Sequence, residues 1–141
     1  MAGAEQRQTG RCLCGAVRFS APSEPTWVGH CYCDSCCRAA GAPMTTWAGY
    51  EFNSVSFEGV EPVEFESSPG AHRIFCGACG SSLGLRNFGH YPGEMFLLAA
   101  TFDDPTEFKP QEHVHVQEKM PWLHFTDGLP EHDGDAPVEP A

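Results

Sequence analysis

The sequence predicts a mainly β, single-domain protein with short helical turns. Apolar and polar residues alternate with period two in segments such as Val17-Arg-Phe-Ser20, the signature of half-buried strands. Turn residues separate the segments, most clearly at Gly59 and Pro69-Gly70. A chain of 141 residues suits one domain and is long enough to bury a core.

Charge narrows the partners. A net charge of −11, a pI of about 4.9 and only eight Lys and Arg argue against nucleic acid and anionic membrane as partners, because phosphate binding needs clustered basic residues. No apolar run approaches the roughly 18 residues of a membrane span. The segment Met1-Ala-Gly-Ala-Glu-Gln-Arg-Gln8 lacks the apolar core of a signal peptide, so a cytoplasmic protein is expected. In that compartment eight cysteines in tight C-x-C and C-x-x-C pairs read as metal ligands rather than disulfides.

In chain order, a polar leader (residues 1–8) precedes a strand within Thr9–Ser20. Cys12 and Cys14 stand at its start, and residues i and i+2 of a strand share a face, so both thiols can reach one ion. Gly15 allows close approach to it. The competing reading of this pair is buried core. After a turn at Ala21–Pro25, Thr26–His30 forms a short strand leading into Cys31-Tyr32-Cys33-Asp34-Ser35-Cys36. His30 points away from its neighbour Cys31 and reads as a surface or core histidine. Residues 34–40 predict one helical turn, with Asp34 as N-cap and Gly41 as its stop. Backbone N–H groups at such a start lower thiolate pKa values.

Strands are expected within Met44–Phe52, Val55–Phe57 and Val63–Glu66, with Trp47 and Phe52 in the core. Another runs from His72 into Cys76-Gly-Ala-Cys79-Gly80, the form of a zinc knuckle whose amides point at the sulfurs. Gly77 and Gly80 suit such a turn. A redox C-x-x-C competes with that reading, but no βαβ pattern surrounds it. Ser82–Arg86 follows, and Glu94–Thr101, the most apolar run, predicts a central buried strand. His113 and His115 alternate on one strand face; with cysteines supplying ligands enough, both read as surface or core residues. Residues 131–141 read as a solvated acidic tail rich in Pro.

The thiols carry the chemistry. Cys31, Cys33 and Cys36 can converge on one ion and leave its fourth position open, as catalytic zinc sites do, whereas closed structural sites take four ligands. Spacing leaves the pairing of distant cysteines undecided. A zinc ribbon with Cys33 and Cys36 facing Cys76 and Cys79 is equally allowed.

The order Gly10-Arg-Cys-Leu-Cys-Gly15, Cys31-x-Cys33-x-x-Cys36 with Gly41-Ala-Pro43, Phe75-Cys76-x-x-Cys79-Gly80, then His113, Pro121-Trp122 and Asp127-Gly-Leu-Pro130 resembles the glutathione-dependent formaldehyde-activating family, which also includes centromere protein V. The resemblance covers nearly the whole chain. It implies packed antiparallel β-sheets, a zinc domain over residues 9–130 and two zinc ions per chain. Cys12, Cys14, Cys76 and Cys79 would hold a structural zinc, and Cys31, Cys33 and Cys36 a catalytic one. The implied activity is that of a carbon–sulfur lyase acting on a thiol adduct, with glutathione and formaldehyde giving S-hydroxymethylglutathione. A zinc-stabilised binding or scaffold module without turnover is the alternative.

Two positions depart from the family pattern. Cys37 stands where Arg is common, with Arg38 one place later, and Tyr32 stands where His is frequent. Both touch the reactive stretch, so they bear on substrate more than on fold. Cys37 reads as a spare buried thiol, since adjacent side chains rarely share a tetrahedral ion. Arg38, Arg73 and Arg86 are candidates for pairing with glutathione carboxylates, each equally readable as a surface charge.

Overall fold

A computed structural model describes residues 6–136. Its strands are β1 (Arg7–Arg11), β2 (Val17–Pro22), β3 (Trp27–Cys31), β4 (Thr45–Glu51), β5 (Ser56–Gly59), β6 (Val63–Ser68), β7 (Ala71–Phe75), β8 (Ser82–Asn87), β9 (Glu94–Leu98) and β10 (Glu112–Val114). Helix α1 (Asp34–Ala40) lies between β3 and β4. They form a three-stranded sheet, β1-β2-β5, and a seven-stranded sheet, β10-β3-β4-β9-β8-β7-β6. The mainly β prediction holds. Every strand pair is antiparallel except β10 with β3.

Alternation explains how the sheets meet. Val17, Phe19 and Ala21 of β2 are buried while Arg18 between them is exposed, so one face of the small sheet is apolar. That face packs against Val28, Ala48, Tyr50, Ile74, Leu83, Met95 and Leu97 of the large sheet, giving one shared core. Phe102 closes it edge-on to Phe19, with ring centroids 5.0 Å apart. The large sheet's other face carries a second, smaller apolar cluster built on Cys31, Cys36, Trp47 and Val114. β9 occupies the middle of the large sheet, as its apolar run predicts, although it ends at Leu98 and Ala99–Thr101 form a 3-10 turn. The outer strand β6 is exposed along its length and carries Glu64 and Glu66, which discourages edge-to-edge pairing.

Several local expectations are revised. The N-cap of α1 is Cys33, whose Sγ accepts from the Cys36 N–H, because its extended backbone precedes the first turn; Asp34 sits inside that turn and pairs with Arg38 at 2.9 Å. Gly41 ends the helix in the left-handed conformation, as expected. Trp47 is buried, but Phe52 begins a 3-10 turn and is 36% exposed, packed on Phe88. His113 and His115 do not share a face: the strand stops at Val114, and His115 takes a left-handed φ of 55°. β1 already begins at Arg7, inside the segment read as leader. Residues 131–136 run alongside β10, with His132 N–H donating to the His113 carbonyl at 2.9 Å and His115 N–H to that of Gly134 at 2.9 Å, while Glu131, Asp133, Gly134 and Asp135 stay exposed as expected. The remainder of that segment, 137–141, lies outside the described residues, as do 1–5. Among the described residues no helix is long and apolar enough to cross a membrane.

Gly10 marks where the two layers come closest. It bridges to Phe102, and a Cβ there would lie 2.2 Å from the Phe19 ring and 2.6 Å from the Thr101 carbonyl oxygen. Backbone on one side cannot yield as a side chain can. Gly10→Ala is expected to lower stability by about 1–3 kcal/mol, seen as a lower urea midpoint at unchanged slope.

Candidate metal centres

Two tight turns build the first thiol cluster. β1 runs out at Arg11, and the Gly15 N–H then donates to the Cys12 carbonyl at 3.1 Å, with Gly15 at φ 79°. Cys12 and Cys14 therefore converge through a turn and not along a strand face, which corrects the sequence reading. In the knuckle the Gly80 N–H donates to the Cys76 carbonyl at 2.8 Å, and the Ala78 N–H points at Cys76 Sγ at 3.4 Å. Gly80 has the positive φ that this turn needs; Gly77 does not, and a Cβ there would press on the exposed Val63 side chain at 2.9 Å.

The four sulfurs of Cys12, Cys14, Cys76 and Cys79 lie within 4.8 Å of one another. Cys12 and Cys14 Sγ are 3.6 Å apart, and Cys14 and Cys76 Sγ 3.9 Å. Zinc–sulfur bonds of about 2.3 Å in a tetrahedron separate sulfurs by about 3.8 Å, so the set fits one ion. Ser81 latches the turns together: its Oγ accepts from the Leu13 N–H at 2.9 Å and lies 3.1 Å from Cys79 Sγ. Hydrogen bonds from the Ser81 hydroxyl and then its backbone N–H push the Cys79 thiol down to about 5.

The second cluster joins the end of β3 to the start of α1. Cys31, Cys33 and Cys36 also have their sulfurs within 4.8 Å of one another, with Cys31 and Cys36 Sγ 3.9 Å apart. Sulfur separations again match a tetrahedral ion, this time with three protein ligands. Arg73 on β7 donates from Nη1 to Cys36 Sγ at 3.3 Å. Hydrogen bonds from Cys31 and Cys33, and then the Arg73 guanidinium, push Cys36 strongly down, whereas hydrogen bonding to Cys33 and Cys36, and then burial, push Cys31 strongly up. Cys37 is buried outside both clusters, and burial first, then Cys33 and Cys36, push its thiol up.

The three-thiol cluster opens onto a cavity of about 440 Å³ on the second face of the large sheet. This is within the range of small-molecule sites. Trp27, Trp47, Leu85, Phe96 and Val114 supply apolar wall, and Arg73, Glu94, His115 and Asp135 supply charge. The Trp47 Nε1–H is buried with no hydrogen-bond partner among the described residues. At the rim Asp135 accepts from the Tyr91 hydroxyl at 2.7 Å and lies 2.7 Å from His90 Nε2 and 2.8 Å from His115 Nε2.

Of the three arginines singled out in the sequence, Arg73 reaches the thiols, whereas Arg38 pairs with Asp34 and Arg86 with Glu64 at 2.8 Å. His113 is buried, as expected of a core residue, and His30 is half-buried beside it. Trp47, Tyr91 and Asp135 were not foreseen as cavity residues. Trp47 is indistinguishable from core in the sequence, and Asp135 falls in the stretch read as tail.

Comparison with known proteins bears on these clusters. The profile of the glutathione-dependent formaldehyde-activating enzyme family matches residues 7–118, which include all seven clustered cysteines. An uncharacterized lyase of Schizosaccharomyces pombe is 34% identical over 74 residues, covering 52% of this chain and 53% of that protein. The match thus spans about half the length of that relative. A Halomonas elongata protein, provisionally named a glutathione-dependent formaldehyde-activating enzyme, is 30% identical over 130 residues, covering 81% of this chain and 78% of its own. The crystal structure of a Rhodobacter sphaeroides protein superposes with a TM-score of 0.53 over 88% of this chain and 98% of that one, at 16% identity, a likeness of fold.

A closed set of four ligands and an open set of three should differ in what they hold up. Cys76→Ser or Cys79→Ser is expected to unfold the protein or make it insoluble. If both sets bind zinc, Cys33→Ser or Cys36→Ser should leave it folded with about one zinc fewer per chain, by circular dichroism and elemental analysis. Equal loss of folding in both sets would remove the distinction.

Proposed function

Because the chain belongs to the glutathione-dependent formaldehyde-activating enzyme family, we propose that it is a zinc-dependent enzyme of carbon–sulfur lyase type. It joins the glutathione thiol to formaldehyde, giving S-hydroxymethylglutathione. In this reading Cys12, Cys14, Cys76 and Cys79 hold a structural zinc, Cys31, Cys33 and Cys36 hold the catalytic one, and the protein works in the cytoplasm. The supporting observation is the asymmetry of the clusters: three thiols face a cavity of about 440 Å³, with Arg73 beside them.

Zinc held by Cys31, Cys33 and Cys36 would supply a fourth position that favours sulfur and stabilise the incoming thiol as its thiolate. The chain's own residues supply the surroundings. The Arg73 guanidinium, 3.3 Å from Cys36 Sγ, offsets the negative charge that three thiolates accumulate. Apolar walls exclude water and hold thiol and aldehyde together, replacing a bimolecular encounter with a positioned one. The unpartnered Trp47 N–H offers a donor to a ligand oxygen. Burial and then its hydrogen bond to Asp135 push the Tyr91 hydroxyl up, so it keeps its proton and its hold on Asp135 at the rim. As the carbon–sulfur bond forms, the carbonyl π pair moves onto oxygen. That oxygen takes up one proton, equal to the one the thiol released.

Glutathione and formaldehyde also combine unassisted, so catalysis is an excess over background. Exchange NMR at fixed pH is expected to show faster adduct formation with the protein than without it, and Cys36→Ser should return the rate to background. Glutathione binding without acceleration would assign the site to another thiol adduct, and no thiol binding would leave a zinc-stabilised binding module.

A further inference from the structure

We propose that His30, His113 and Asp127 form a third metal site, of two imidazoles and one carboxylate, that takes a divalent first-row transition ion. β10 pairs with β3 in parallel, and its register sets His113 directly beside His30. The rings lie 4.9 Å apart, and Asp127 arrives from the following loop, so that one ligand atom from each residue lies within 4.8 Å of the others. Alternation along β3 turns His30 away from the face carrying Cys31. The site is therefore separate from both thiol clusters.

The surroundings of the two imidazoles point to metal rather than to a plain hydrogen-bond network. His ligands characteristically bind metal through one nitrogen while a second group fixes the other. Here His113 Nδ1 lies 2.7 Å from the Tyr32 hydroxyl, and His30 Nδ1 lies 2.8 Å from Thr46 Oγ1. Each ring is thus oriented with Nε2 left for the cluster. His113 Nε2 lies 2.9 and 3.1 Å from the two Asp127 oxygens, while His30 Nε2 has no hydrogen-bond partner among the described residues. Thr46 and Phe125 hold the His30 ring in place, and its second nitrogen stays free for a ligand. Phe125 covers the pair, stacked on His30 at 6.0 Å and 18°. Metal entry selects the His113 tautomer in which Nδ1–H donates to the Tyr32 oxygen and Nε2 carries the lone pair. Two nitrogens and one oxygen suit Zn²⁺, Co²⁺ or Ni²⁺, and three protein ligands leave positions open.

The test titrates untagged protein, carrying two equivalents of Zn²⁺, with Co²⁺. One further equivalent is expected, with weak visible ligand-field bands and no thiolate-to-cobalt charge transfer in the near ultraviolet. His30→Ala and Asp127→Asn, both at partly or fully exposed positions, should each abolish it and leave two zinc ions in place. Thr46→Val should weaken it by about 10–100-fold, the usual effect of losing a group that orients a ligand. No further equivalent, one that survives both His30→Ala and Asp127→Asn, or uptake seen solely as thiolate charge transfer would overturn the assignment.

Discussion

The meeting of two tight turns, Cys12–Gly15 and Cys76–Gly80, is the constraint on which the molecule depends. The turns extend from different sheets and bring four sulfurs within 4.8 Å of one another at one end of the shared core. Cys14 and Cys76 are 62 residues apart, and closing a loop of that size costs about 4 kcal/mol of chain entropy. Four thiols side by side offer little in return, because ionising more than one of them sets like charges against each other without a cation. A zinc held by these four thiols, as proposed, would contribute on the scale of the roughly 10–16 kcal/mol seen in small zinc-finger peptides, ample to offset that closure. With this end fixed, β2 and β7 are held in place, and with them the core between the layers.

The large sheet is then free to use its two faces differently. One face meets the small sheet, and the other carries the three-thiol cluster, the aromatic wall and the cavity. β3 shows the division most clearly. Val28 enters the shared core and Trp27 and Cys31 join the second cluster, while His30, on the core-facing side, sits beyond the end of that core next to His113. α1 completes the arrangement by placing Cys33 at its N-cap and Cys36 in its first turn, where helix N–H groups favour thiolate. Arg73 reaches the same sulfur from β7, four strands from β3 in the sheet order.

Local pattern was readable where a single period governs the chain. The alternation of Val17, Phe19 and Ala21, the apolar run from Glu94 and the Gly41 stop all appear in the structure as their chemistry predicts. The thiol motifs were readable as metal ligands, but not their partners: sequence spacing permits Cys33 and Cys36 to face Cys76 and Cys79 as readily as the arrangement found, and it took resemblance to a family to choose. Misread features were those set by backbone turns or by distant contacts. Cys12 and Cys14 look like strand neighbours until the Gly15 turn is known, and His115 leaves the strand through a left-handed φ that nothing in His113–Val116 signals. Asp135 looks like part of an acidic tail because its partners His90, Tyr91 and His115 are brought to it by the fold.

The central claim is that the two thiol clusters hold zinc differently, one closed and one open to a thiol. Zinc-edge X-ray absorption measures this directly by counting sulfur neighbours. Protein loaded with two zinc ions should average about 3.5 sulfurs per ion, rising to about 4 when glutathione is added. An average of four sulfurs before glutathione, or one that glutathione leaves unchanged, would contradict the account.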